Sequence, residues 1–254
     1  MPNCHEMGLV VSVNTFELQP AWILHTRPYR DTSLLVDCLT RHYGKVSLVA
    51  SGARGGAGKA GRPRRGHLLQ PFSRLLISWT GKTELKTLRQ LEQDRYLLLS
   101  GKHLYGGLYA NELLVRLLQP GDALSNLFDL YEWLVDGLSQ QLSLEVSLRI
   151  FEKLLLEALG YGIPLSYEGT RGQAIRDDQY YLYQQDNGFV PCRASASANG
   201  CPGFSGAVLN AFARNDVTDS MLPELKRLTR MALAPLLGNR PLHSRALFRQ
   251  AGPV

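Results

Sequence analysis

The 254-residue chain contains no apolar run near the roughly 20 residues that a membrane-spanning helix requires. Nothing basic precedes Gly8-Leu9-Val10-Val11, so the first residues read as no signal peptide. Cysteine is scarce. Cys4, Cys38, Cys192 and Cys201 stand alone, none in C-x-x-C spacing. They read as reduced thiols of a cytoplasmic protein rather than as a disulfide frame. Cys192 and Cys201, without a nearby histidine, do not complete a tetrahedral zinc site. The six histidines are dispersed, and none stands at helical spacing from another histidine or a carboxylate. Gly203-Phe204-Ser205-Gly206-Ala207 is one residue out of register for a nucleophile elbow. Gly52 to Ala60 imitates a nucleotide-binding loop, but that motif needs glycine where Ala53 stands and a hydroxyl where Ala60 stands. These absences argue against a hydrolase, an NTPase and a metalloenzyme.

Acidic residues are missing from one stretch altogether. Ser51 to Arg74 carries Arg54, Lys59, Arg62, Arg64, Arg65 and Arg74, and five glycines fall between Gly52 and Gly61. Lysine and arginine release the counterions condensed on a phosphate backbone, and glycine permits close approach. The same composition serves a merely solvated loop, and alone it does not decide between the two. The wider charge distribution is informative. Residues 1–92 hold 13 Lys and Arg against 6 Asp and Glu, whereas the remaining residues hold 15 against 16. All of the net charge of +6 therefore comes from the first third, which predicts a basic front module and a near-neutral rear one.

Residues 1–19 show no clear period and read as a loose extension. From 20 to 92 the pattern is of short strands: Ala21–Thr26, Ser33–Thr40, Gly44–Ala50, Leu75–Trp79 and Glu84–Leu91. Five such strands fit a small closed barrel. Trp22 and Trp79 read as its core. Tyr29 and Tyr43, beside Arg27, Arg30 and Arg41, read as candidates for stacking on bases. Residues 93–254 are mainly helical. Helical spacing marks Lys102–Leu118, Leu124–Leu142 and Leu144–Leu159, the last with Leu148, Phe151 and Leu155 inward and Glu145, Arg149, Glu152 and Lys153 outward. An irregular insert spans 165–207, with a hairpin about Asn187-Gly188. A last helix runs from Pro223 to Leu237, followed by a basic tail with Arg240, His243, Arg245 and Arg249. The expected fold class is α+β: a five-stranded OB-fold barrel, then a helical domain with a short irregular insert.

Several segments, in this order, carry a family resemblance. They are Ile23-Leu24-His25-Thr26-Arg27-Pro28, Leu48-Val49-Ala50-Ser51-Gly52-Ala53-Arg54, Leu69-Gln70-Pro71-Phe72 and Glu84-Leu85-Lys86-Thr87-Leu88-Arg89. Gly107-Leu108-Tyr109-Ala110-Asn111-Glu112-Leu113-Leu114, Thr229-Arg230-Met231-Ala232-Leu233 and Ser244-Arg245-Ala246-Leu247-Phe248-Arg249-Gln250 continue it. Together they resemble the RecO family of bacterial recombination mediators over about Trp22 to Gln250. The resemblance implies binding of single- and double-stranded DNA, annealing of complementary strands, and help in loading RecA onto DNA coated by single-stranded DNA-binding protein (SSB). It implies RecR and the acidic, apolar C-terminal tail of SSB as partners, no nucleotide hydrolysis, and a cytoplasmic, nucleoid-associated place. Some members carry a four-cysteine zinc site in the insert. Only Cys192 and Cys201 stand there in this chain, so no zinc and no other cofactor is expected.

The expected DNA contacts are Arg30, Lys45, Arg54, Lys59, Arg62, Arg64, Arg65, Arg74 and Arg89. An SSB-tail groove needs apolar walls and a cation for the terminal carboxylate. Leu108, Leu113 and Leu117 with Arg116, or the Arg227 and Arg230 face, are the two options. The rival reading is a non-enzymatic adaptor whose barrel binds RNA or protein, because stacking and backbone contacts serve RNA as well as DNA.

Overall fold

The computed structural model describes residues 15–54, 65–193, 197–198 and 201–250. They fold as two compact units that part between Tyr96 and Leu97. In the first, β1 (Thr15–Tyr29), β2 (Ser33–Thr40), β3 (Gly44–Ala50), β4 (Ser73–Thr80) and β5 (Leu85–Tyr96) close into a barrel. Its order is β1-β2-β3-β5-β4, with β4 paired back onto β1. Strand alternation sends Val36 and Cys38, Val46 and Leu48, and Ile77 and Trp79 to one interior cluster. Trp79 is fully buried there, with Phe16 stacked on it at 5.0 Å and Tyr43 edge-on to both rings.

The front of the barrel departs from the sequence expectation. Thr15 to Gln19, read as part of a loose extension, belongs to β1 and pairs with Thr80 to Ile77 of β4. A register shift between Phe16 and Gln19, with Leu18 at φ 46°, breaks the two-residue period. The alternation is hidden for that reason. β5 runs past the expected Leu91 to Tyr96, its outer half polar and exposed.

In the second unit, α1 (Gly101–Leu117), α2 (Ser125–Ser139), α3 (Leu144–Ala158) and α5 (Leu222–Leu237) pack together. α4 (Gly206–Ala213) and α6 (Ser244–Gln250) complete the helices. Between α3 and α4 lies the hairpin β6 (Tyr180–Gln184) and β7 (Gly188–Cys192). β8 (Ser197–Ala198) pairs with β9 (Cys201–Pro202), and β10 (Phe204–Ser205) with β6. The loop before the hairpin is held by Glu168, whose carboxylate accepts the Thr170 and Arg171 amides, each at 2.7 Å.

α3 corrects the expectation most. It packs against α1, α2 and α5, so it has no broad solvent face. Arg149, Glu152 and Lys153, read as outward, are all buried. Arg149 and Glu152 neutralise each other at 2.8 Å. Lys153 donates to the carbonyls of Phe212 (2.7 Å) and Ala213 (3.2 Å), closing the end of α4. Burial holds the Lys153 ammonium below its usual pKa.

The basic tail is also a helix. One turn of α1 fastens it with an i,i+4 pair. Glu112 accepts the amides of His243 (2.8 Å) and Ser244 (2.9 Å) and the Ser244 hydroxyl (2.7 Å), placing a carboxylate at the N-terminus of α6. Arg116 donates to the carbonyls of Leu237 (2.6 Å), Arg240 (2.8 Å) and Pro241 (3.1 Å), covering the C-terminus of α5.

Burial alone would raise the Glu112 carboxyl, but the Ser244 and His243 donors hold it below the usual glutamate value of 4.5. A depressed carboxylate stabilises fully above the unfolded-state value and loses that contribution as pH falls through the folded one. Glu112→Gln is therefore expected to cost about 1 kcal/mol at neutral pH. Denaturant titrations of the two proteins should converge as pH falls below about 4.5.

Candidate functional site

Arg30 lies in the turn between β1 and β2 at φ 51°, a left-handed backbone that costs a non-glycine residue roughly 1 kcal/mol. Its guanidinium lies 5.2 Å from the centroid of the Tyr29 ring. The Arg54 amide donates to the Thr32 carbonyl at 2.8 Å, so Arg54 stands at the same turn. The chain re-enters through a short helical turn, Arg65–Leu68. There Gly66 lies so close to Ala53 that a Cβ would overlap the Ala53 carbonyl oxygen. Both ends of the basic loop thus meet at one stem. Lys59, Arg62 and Arg64 lie outside the described residues, as does the side chain of Arg65. Connectivity alone tethers their charges to the stem that carries Arg30 and Arg54.

The remaining expected DNA contacts are not gathered there. Lys45, the second residue of β3, pairs with Leu39 near the end of the strand away from Ala50. Arg74 is paired with Asp94 at 2.9 Å, and the Arg89 Nε donates to Thr80 Oγ1 at 2.8 Å. Tyr43 packs on Phe16 and Trp79, which gives it a structural role, whereas Tyr29 stays with Arg30. Sequence reasoning missed a polar group on the outer face of β1 to β3. Ser47 donates to Asp37 at 2.6 Å, and His25 Nδ1 lies 3.8 Å from the same carboxylate. Burial opposes the Asp37 charge, but His25, Ser47 and then Arg27 hold its carboxyl below the usual value. Cross-strand pairing brings these residues together, and no spacing in the linear sequence signals it.

Within the helical unit, α1, α3, α5 and α6 line a half-open cavity of about 200 Å³. Leu148 and Phe248 give it apolar walls, and Arg230 and Arg245 line it from α5 and α6. Lys226 and Glu145 pair across it at 2.9 Å. Arg149 lines it too and is only 4% exposed. It donates to Glu152 Oε1 at 2.8 Å and to Thr229 Oγ1 at 3.3 Å, while its Nε has no partner. The Tyr109 hydroxyl donates to the same Glu152 oxygen at 2.6 Å. Burial first, and then the Glu152 charge, push that phenol well above its usual pKa, so it remains a donor.

Neither expected tail groove forms as a unit. Leu113 is fully buried in the core, Leu108 and Leu117 are half-buried, and Arg116 is engaged by the carbonyls that end α5. Arg227 lies 4.2 Å from the Phe204 ring centroid and donates to the Gly203 carbonyl at 3.1 Å. Arg230 alone reaches the cavity, joined there by Arg149, Lys226 and Arg245, none of which sequence reasoning singled out. Among the described residues no group of three or more His, Cys, Asp or Glu side chains gathers as a metal site would, and no helix is long and apolar enough to cross a membrane.

Comparison with known proteins agrees across both units. The family described as Recombination protein O N terminal matches residues 16–95, and Recombination protein O C terminal matches residues 98–246. The chain is 44% identical to the DNA repair protein RecO of Cellvibrio japonicus over 241 residues, covering 93% of this chain and 98% of that one. It is 42% identical to the DNA repair protein RecO of Coxiella burnetii, covering 91% and 97%. It is 39% identical to the DNA repair protein RecO of Vibrio cholerae, covering 92% and 94%.

The stem of the basic loop makes one substitution informative. Gly66→Ala is expected to force the loop ends apart and to cost about 1–3 kcal/mol of stability, measured by chemical denaturation. An unchanged midpoint would show that the Ala53 contact yields easily.

Proposed function

The chain belongs to the RecO family of DNA repair proteins, and on that premise we propose that it is a recombination mediator. In this reading it binds single- and double-stranded DNA, anneals complementary strands and helps load RecA onto SSB-coated DNA, without nucleotide hydrolysis. The observation that carries the proposal is the meeting of Arg30, Arg54 and both ends of the basic loop at one end of the barrel. Cations tethered there grip phosphates of two strands at once. Screening of the mutual repulsion lets base pairing proceed with no energy source beyond the pairing itself. The chemistry is non-enzymatic, and the place of action is the cytoplasm, at the nucleoid. RecR is the further partner.

The helical cavity is the seat for the SSB tail. Leu148 and Phe248 offer apolar contact, and Arg230 and Arg245 offer the cations that an acidic chain ending in a carboxylate requires. The rival adaptor reading keeps the barrel but assigns it RNA or protein. Matched DNA and RNA oligomers separate the two.

If about five phosphates are neutralised, the logarithm of single-strand affinity should fall with the logarithm of salt with a slope of about −3.5. Annealing of complementary oligonucleotides, bare and SSB-coated, should proceed without nucleotide and drop when Arg62, Arg64 and Arg65 are all changed to alanine. No annealing by the unchanged protein would favour the adaptor. For the tail, Arg230→Ala and Arg245→Ala should each weaken binding of an acidic, apolar-ended peptide about ten-fold, read by fluorescence anisotropy. Equal affinity in both variants would remove the cavity from the reading.

A further inference from the structure

The cationic cavity holds more positive charge than its own acids neutralise. Lys226 is matched by Glu145, and Arg149 by Glu152. Arg230 and Arg245 form no ion pair among the described residues, so the four cations of the cavity outnumber Glu145 and Glu152 by two.

Charge and donor geometry together describe a preferred ligand group. A phosphomonoester carries about −1.5 to −2 charge at neutral pH and three strong acceptor oxygens, and arginine forks match it well. The size also fits, because a cavity of about 200 Å³ holds a phosphate and part of a sugar. The Phe248 ring, fixed edge-on to Tyr105 at 5.8 Å, and Leu148 supply apolar surface for the remainder.

We propose that this cavity binds a terminal phosphomonoester of a nucleotide or of a nucleic-acid strand end, and that this ligand and the acidic tail exclude one another. The competition rests on the tail reading above, but phosphate binding stands without it. Exclusion would give the protein a hand-over: a phosphorylated strand end entering the cavity expels the tail that brought the protein there.

The test uses the full chain at fixed ionic strength. A labelled acidic, apolar-ended peptide is bound first and followed by anisotropy. Competitors are thymidine 5′-monophosphate, thymidine, and a thymidine tetranucleotide with either a 5′-phosphate or a 5′-hydroxyl. Direct calorimetric titration of the same four compounds accompanies the competition. The protein with Arg62, Arg64 and Arg65 changed to alanine removes the barrel loop as a rival site. Arg245→Ala and Arg230→Ala, both at positions with solvent access, test the cavity.

The 5′-phosphate is expected to improve displacement about ten-fold over the 5′-hydroxyl, an advantage kept by the loop variant and lost in Arg245→Ala and Arg230→Ala. Tighter binding of the tetranucleotide than of the mononucleotide identifies a strand end as the source, and the reverse identifies a free nucleotide. If the peptide binds but the 5′-phosphate gives no advantage in either assay, the phosphate proposal is overturned and the tail reading survives. If the peptide fails to bind while calorimetry shows the phosphate preference, the tail reading falls and the phosphate proposal survives. A preference that persists in both arginine variants overturns the assignment to this cavity.

Discussion

A guanidinium can be sealed inside a protein only with a counter-charge beside it, and Arg149 is almost sealed. Much of the helical unit is arranged to satisfy that requirement. Glu152 supplies the charge from the next turn of the same helix, Tyr109 steadies the carboxylate from α1, and Thr229 accepts from the guanidinium out of α5. Three helices are thus held in register by one polar cluster. The cluster is incomplete in one respect: Arg149 Nε and Glu152 Oε2 have no partner. A half-satisfied network is a poor device for stability alone, and it lies beside the cavity where unmatched positive charge accumulates.

The two units handle positive charge in opposite ways. In the barrel unit the cations fall at the β1–β2 turn and in a glycine-rich stretch of sequence without acids, where salt screens them readily. In the helical unit Arg149 and Lys226 are held in ion pairs, and Arg245 stands on the fastened helix α6.

The barrel was legible in the sequence where alternation was clean. β2 and β3 begin and end at the residues that the two-residue period indicates. Legibility failed at β1, because a bulge shifts the phase of the pattern between Phe16 and Gln19. It failed again for α3, whose charged residues were assigned to solvent. The sequence pointed the other way: Glu145, Arg149, Glu152 and Lys153 share one face of the helical wheel with only Leu156 among them, the pattern of a helix with a solvated side. Tertiary packing overrides that pattern, and the buried charges pair internally. For the cavity, Arg149, Lys226, Arg230 and Arg245 come from three helices separated by long stretches of chain, and only tertiary packing brings them together. The basic loop was legible as chemistry, while its stem depends on the Gly66–Ala53 approach, which composition does not reveal.

The barrel is sealed between β3 and β5 by only three parallel residue pairs, from Ser47–Leu85 to Val49–Thr87. That seam joins distant parts of the chain, and the arginine-rich segment lies wholly inside the loop it must close. Distant pairings form slowly during folding, because loop entropy opposes them before contacts reward them. Mutual repulsion among the loop cations swells the unfolded segment and opposes closure further, an effect that salt screens. The barrel is therefore expected to refold faster as ionic strength rises, and its assembly kinetics carry the imprint of the cations enclosed in that loop.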